Sequence, residues 1–138
     1  MITASRKILI VDDDPLVAAT LVRVLLDRGH SASSANDGRA ALERLHKEQF
    51  DFVLLDVFMP GKDGIETLRE MRRKYPGVTI GVTSGGGIRG RFEFLDMALK
   101  LGANGIAPKP ITPDCLVAMV ERNEFPSASK QRHHDRNG

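Results

Sequence analysis

Only one cysteine, Cys115, occurs in the 138 residues, so the chain can form no internal disulfide and offers a metal no Cys pair. A reducing, cytoplasmic setting is the one this usage fits. No run of about 18 apolar residues occurs, and the first residues lack a signal-peptide apolar core, so the expectation is a soluble protein that is neither membrane-spanning nor exported. Charge of one sign is missing too: the formal net charge is +2, with acidic and basic residues mixed through most of the chain, which leaves a weak electrostatic case for nucleic acid. There is no internal repeat and no interdomain linker. What remains is an ordinary globular composition, 41% hydrophobic and 28% charged, at a length that allows one domain with a sizeable core.

Within it, the stretch from Phe50 to Pro60 stands out. Val53, Leu54 and Leu55 are an uninterrupted apolar run of the length expected for a strand covered on both faces, and the run ends in Asp56. Lys7 to Val11 is a second such run, stopping at Asp12-Asp13-Asp14-Pro15. Asp14 before Pro15 reads as a helix N-cap with proline at the first helical position, which gives Asp14 a structural task and removes it from the candidate site.

The rest alternates. Val17, Leu21, Val24 and Leu25 repeat at helical spacing over roughly 15–28, with Gly29 as the stop. Ser31 to Ala35 is a weak strand of small residues, and Ala41, Leu42 and Leu45 mark a second helix ending before Asp51. Ile65, Leu68 and Met71 mark a third helix, and Val78 to Thr83 a strand weakened by Gly81. Beyond the glycine-rich Gly85-Gly86-Gly87, the residues Phe92, Leu95 and Leu99 give a fourth helix its expected stripe, ending at Leu101-Gly102. Gly105 to Pro108 is a last strand, Thr112-Pro113 caps and opens a fifth helix, and Leu116, Val117 and Val120 form its buried face. From Asn123 to Gly138 the composition is polar, and a mobile tail is expected; His133 and His134 are too few and too terminal for a metal site. Five strand–helix units call for an α/β fold: a flavodoxin-like (βα)5 three-layer sandwich with a five-stranded parallel sheet of order 2-1-3-4-5.

That order places Asp12 and Asp13 beside Asp56 at the carboxyl edge of the sheet, with Ser84 and Lys109 on the strands beyond. Each has an ordinary reading when taken alone, as a turn residue, a neighbour of a glycine loop or a surface charge. Together they do not. Three carboxylates in one place repel one another unless a hard cation neutralises them, and Mg2+ accepts such oxygens while keeping several waters. With the Lys109 ammonium and the Ser84 hydroxyl added, the set supports phosphoryl transfer to Asp56, which would attack in line while the cations offset charge on the equatorial oxygens.

These residues resemble the receiver domains of two-component response regulators. The likeness runs over residues 6–122 through Ile8-Leu-Ile-Val-Asp12-Asp13-Asp14, Val53-Leu-Leu-Asp56-Val-Phe-Met-Pro60-Gly, Asp63-Gly64, Thr83-Ser84-Gly85-Gly86, Leu101-Gly102-Ala103 and Lys109-Pro110. It implies a receiver domain over 1–122 followed by the tail 123–138. It further implies that Asp56 is the phosphoacceptor, that Asp12, Asp13 and Asp56 with the carbonyl of Phe58 hold Mg2+, and that Lys109 binds phosphate across a bond to Pro110 that is often cis in such domains. Ser84 rather than Thr83 would be the switch hydroxyl, since it directly precedes the glycines 28 residues beyond Asp56. The implied role is a cytoplasmic signalling module and phosphoprotein, not an enzyme beyond its own phosphorylation and dephosphorylation. It would take phosphate from a histidine kinase or histidine phosphotransfer protein and act as a single-domain response regulator. A downstream protein would bind the face of the fourth helix, fifth strand and fifth helix, with no direct contact to nucleic acid or membrane.

Two departures from the family pattern carry expectations of their own. Ile106 stands where many receivers have Tyr or Phe, so the change on that face should be muted. Phe58 puts a large ring beside the phosphate, whereas Gly86 leaves the opposite side open, so hydrolysis of the acyl phosphate should be slow; the glycines of the loop before the fourth helix should leave it mobile. The alternative reading is a receiver-like interaction module that never uses phosphate. A hydrolase with Asp12 as nucleophile is disfavoured, because position 16 is Leu in place of the Thr of an Asp-x-Asp-x-Thr run and no cap domain fits. The loop from Ser84 to Gly90 lacks the Gly-Lys-Ser/Thr ending of a nucleotide loop.

Overall fold

The computed structural model describes residues 4–57, 64–84 and 91–126, with residues 84 and 91–95 described by their backbone alone. Five strands and five helices alternate: β1 (Lys7–Val11), α1 (Pro15–Asp27), β2 (Ser31–Ala35), α2 (Gly38–Lys47), β3 (Phe52–Asp56), α3 (Gly64–Lys74), β4 (Thr79–Ser84), α4 (Arg91–Lys100), β5 (Gly105–Pro108) and α5 (Pro113–Arg122). All strand pairs are parallel, in the order β2-β1-β3-β4-β5. This is the flavodoxin-like arrangement that the five strand–helix units call for. Pro108, which has no N–H to give a ladder, falls on the edge strand β5, where its loss costs least.

The apolar runs of β1 and β3 are buried because both sheet faces are covered. Leu9, Val11, Val53 and Leu55 face one layer with Ala41 and Leu45 of α2, Leu68 and Met71 of α3, and Ala98 of α4. Ile8, Ile10, Phe52 and Leu54 face the other, with Ala18, Leu21 and Leu25 of α1 and Leu116, Met119 and Val120 of α5. Asp14 caps α1, its carboxylate accepting the N–H groups of Leu16 and Val17. Gly29, at φ +93°, turns the chain after α1 in a conformation costly for any residue with a Cβ.

Two expectations need correcting. On α4 the stripe is out of phase at Leu99: that side chain is 44% exposed and Met97 is 42% exposed, while the small Ala98 is fully buried and lets the helix approach the sheet closely. The side chains of Phe92 and Leu95 lie outside the described residues. At the other end of the chain, ordered packing does not stop at Arg122. Asn123 takes a left-handed conformation at the end of α5, φ 57°, and Phe125 turns back onto the sheet, 8% exposed. A polar neighbourhood hides it in the sequence, and only residues 127–138 of the expected tail lie outside the described residues.

Candidate functional site

β1 and β3 run side by side; Asp12 directly follows β1 and Asp56 closes β3, each 3% exposed. Two acidic groups so deeply buried require a counter-charge. Lys109 supplies it. Its Nζ lies 2.9 Å from Asp12 Oδ2 and 2.9 Å from Asp56 Oδ2, with the lysine side chain 23% exposed. The other Asp12 oxygen, Oδ1, accepts the Asp14 N–H at 2.9 Å, and the Asp12 N–H donates to the Ala35 carbonyl at 3.1 Å, so the carboxylate is fixed by the loop that follows β1 and its backbone by the end of β2. Burial pulls the Lys109 ammonium toward a lower pKa. Its hydrogen bonds to Asp12 and Asp56, and their charges, outweigh that and leave it above the ordinary lysine value.

Asp13 is exposed, yet one oxygen each from Asp12, Asp13 and Asp56 fall within 4.8 Å of one another. Three hard oxygen donors at that spacing, two of them buried, match what Mg2+ accepts. The strand order thus brings together four of the six residues singled out in the sequence: Asp12, Asp13, Asp56 and Lys109. The Ser84 backbone closes the β4 ladder opposite Pro108, but its side chain lies outside the described residues, as do Phe58 and Gly86 entirely. The Lys109–Pro110 peptide is cis. Asp14, set aside from the sequence, is occupied in capping α1.

One residue of the site went unused in the sequence reading. Thr83 is the register partner of Asp56 and is 2% exposed, and its hydroxyl has no hydrogen-bond partner among the described residues. The alternation of β4 placed it beside Asp56; nothing in the sequence showed that its hydroxyl is unpaired. A second polar cluster also escaped, because its members are far apart in the chain. Buried at the amino end of the sheet, His30 Nε2 lies 2.8 Å from Glu121 Oε2, and Arg28 Nε donates to the same oxygen at 3.0 Å. The Arg6 N–H donates to His30 Nδ1, which leaves the proton on Nε2 to point at Glu121. This cluster ties the end of α5 to the α1–β2 turn, at the edge opposite the carboxylates.

The chain matches the family model of the response regulator receiver domain over residues 8–121. Among solved structures, the receiver domain of NtrX from Brucella abortus is 30% identical with a TM-score of 0.75, over 83% of this chain and 95% of that one. The chemotaxis response regulator CheY4 of Vibrio cholerae is 29% identical with a TM-score of 0.76, over 86% and 98%. A CheY-like response regulator receiver domain protein from Methanospirillum hungatei JF-1, 24% identical over 98% of this chain and all of that one at a TM-score of 0.78, supports the fold. No helix among the described residues is long and apolar enough to cross a membrane.

Proposed function

Because the chain belongs to the response regulator receiver family of two-component signalling, whose members are signalling modules and not classical enzymes, we propose that it is a phosphoacceptor that takes a phosphoryl group from a phosphohistidine onto Asp56. The observation that carries this reading is the Lys109 ammonium shared between two buried carboxylates beside a third. An Asp56 oxygen attacks phosphorus, the P–N bond of the donor breaks, and the histidine nitrogen leaves with the electron pair; an aspartyl phosphate forms. Asp12, Asp13 and Asp56, with the Phe58 carbonyl, would hold Mg2+, which supplies charge neutralisation at the phosphoryl oxygens. Lys109 offsets the remaining charge, and the Ser84 hydroxyl would donate to one phosphoryl oxygen, drawing the end of β4 toward it.

The donor is a histidine kinase or a histidine phosphotransfer protein. Its approach is supported by an apolar surface beside Lys109: Leu16, 75% exposed in the first turn of α1, borders a cavity of about 720 Å3 with Val17, Leu21, Pro110 and Ile111. The downstream partner would bind across α4, β5 and α5, where Met97 and Leu99 stand out of α4. In this reading the signal leaves by protein contact.

The test is to mix the protein with Mg2+ and acetyl phosphate and trap the acyl phosphate with borohydride. Asp56 should carry the label, and Asp56→Asn should carry none. Partner binding of equal strength by the wild type, phosphorylated or not, and by Asp56→Asn would instead establish an interaction module that does not use phosphate.

A further inference from the structure

The carboxyl edge of the sheet holds one group that phosphoryl transfer, as described, does not employ. Thr83 lies on β4 in register with Asp56 on β3 and Ala107 on β5. In a parallel sheet, register partners point to the same face, so Thr83 stands on the Asp56 side. It is 2% exposed, and among the described residues its Oγ1 is the only buried side-chain nitrogen or oxygen without a hydrogen-bond partner. Such a group costs free energy to bury and is uncommon in a native core.

Its position relative to Lys109 gives it a use. Lys109 follows the edge strand β5, whereas its ammonium bonds to Asp56 on β3 and Asp12 on β1. Neighbouring strands are roughly 4.8 Å apart, so the lysine stem must pass over β4 to reach them. An ammonium has three donors. Two are committed here, one to each carboxylate. A cation that takes up Asp12 would compete with Lys109 for that carboxylate, leaving the ammonium short of an acceptor within a largely buried site.

Resting on the phosphoacceptor reading, we infer that Thr83 is a positioning residue for phosphoryl transfer: its hydroxyl accepts an N–H of Lys109 once a cation has engaged Asp12, and so keeps the ammonium over Asp56. Thr83 touches neither phosphorus nor the leaving group, and no bond is made or broken at it. In the cation-free state the hydroxyl waits unpaired.

Thr83→Val removes the hydroxyl and keeps the shape; Thr83→Ser keeps the hydroxyl. Without metal, Thr83→Val should melt no lower than wild type, since the deleted group has no partner to lose. With Mg2+ and acetyl phosphate, borohydride labelling of Asp56 should be about tenfold slower in Thr83→Val and within about twofold of wild type in Thr83→Ser, the difference expected of one charge-assisted hydrogen bond. Calorimetric Mg2+ affinity should be the same in all three. In 15N spectra with Mg2+ alone, the Lys109 ammonium resonance should persist in wild type and Thr83→Ser and be lost to solvent exchange in Thr83→Val. Equal labelling rates in wild type and Thr83→Val, a Thr83→Ser as slow as Thr83→Val, or a Lys109 resonance unaffected by Thr83→Val would each overturn the assignment. Wild type that takes no label on Asp56 overturns the phosphoacceptor reading instead, and the ammonium resonance still reports on Thr83. Should Thr83→Val fail to fold, Thr83→Ala gives the same comparison against Thr83→Ser.

Discussion

Phe125 lies stacked on Phe52, the ring centroids 6.2 Å apart and the planes 12° from parallel. Two glycines make the space: a Cβ on Gly105 would overlap the Phe125 ring, and one on Gly81 would come within 3.0 Å of Phe125 and 3.2 Å of Phe52. Gly81, which looks from the sequence like a weakness in β4, is therefore a packing requirement. Phe125→Ala should lower unfolding free energy by about 3 kcal/mol, measured by urea denaturation. Gly105→Ala should be comparably harmful alone and much less so in the Phe125→Ala background, because the clash and the ring are the same interaction.

Arg72 joins two turns on the opposite sheet face. Its guanidinium donates to the carbonyls of Gly102, Pro76 and Val78 at 2.9 Å and to Asn104 Oδ1 at 2.8 Å, and that same oxygen accepts the Ile80 N–H. Removing it leaves several carbonyls unsatisfied together, so Arg72→Ala should cost about 3 kcal/mol. Arg72→Lys should recover less than half, since a single ammonium cannot reproduce the planar fork. Thermal melts of the two variants check both statements.

Acid should act through Glu121. The Arg28 hydrogen bond holds its carboxyl at about 2 against an ordinary 4.5, burial opposes this, and His30 adds to it. A carboxyl lowered on folding contributes stability that is complete above the unfolded-state value and is lost as pH falls through the folded one. Stability should thus decline between about 4.5 and about 2. Glu121→Gln should flatten that part of a melting-temperature profile and lower stability at neutral pH, where Arg28 and His30 lose their partner.

Lys109 and a divalent cation neutralise the same carboxylates. Lys109→Met removes the ammonium that the buried Asp12 and Asp56 carboxylates share and should destabilise the metal-free protein by about 3 kcal/mol. Added Mg2+ should raise its melting temperature more than it raises that of wild type, and calorimetry should show tighter binding. Asp56→Asn in the Lys109→Met background should restore much of the metal-free loss.

The architecture was legible because β1 and β3 are buried on both faces, so their apolar runs are continuous and their carboxylate ends unmistakable. Even Ser31 to Ala35, which has no strong strand former, could be placed from its position between two helices. Of the candidate site, the convergence of Asp12, Asp13, Asp56 and Lys109 was legible, since all four lie at or just past strand ends whose order follows from topology. Side-chain size misled at Leu99, where the helix packs through Ala98. Phe125 was obscured by Asn123, Glu124 and Pro126, although glycines at 81 and 105 in two neighbouring strands were a signal that a bulky group covers them. The His30–Glu121 and Arg28–Glu121 pairs join residues 91 and 93 positions apart, and Arg72 reaches carbonyls on two separate turns. No local pattern marks such contacts.

Because Phe125 anchors the chain against Gly81 and Gly105, near the start of β4 and β5, the polypeptide leaves its last described residue, Pro126, at the pole of the molecule away from Asp56. A fluorophore or affinity handle placed on Pro126 itself would therefore sit at the far pole, at the opposite end of the sheet from the acidic crevice.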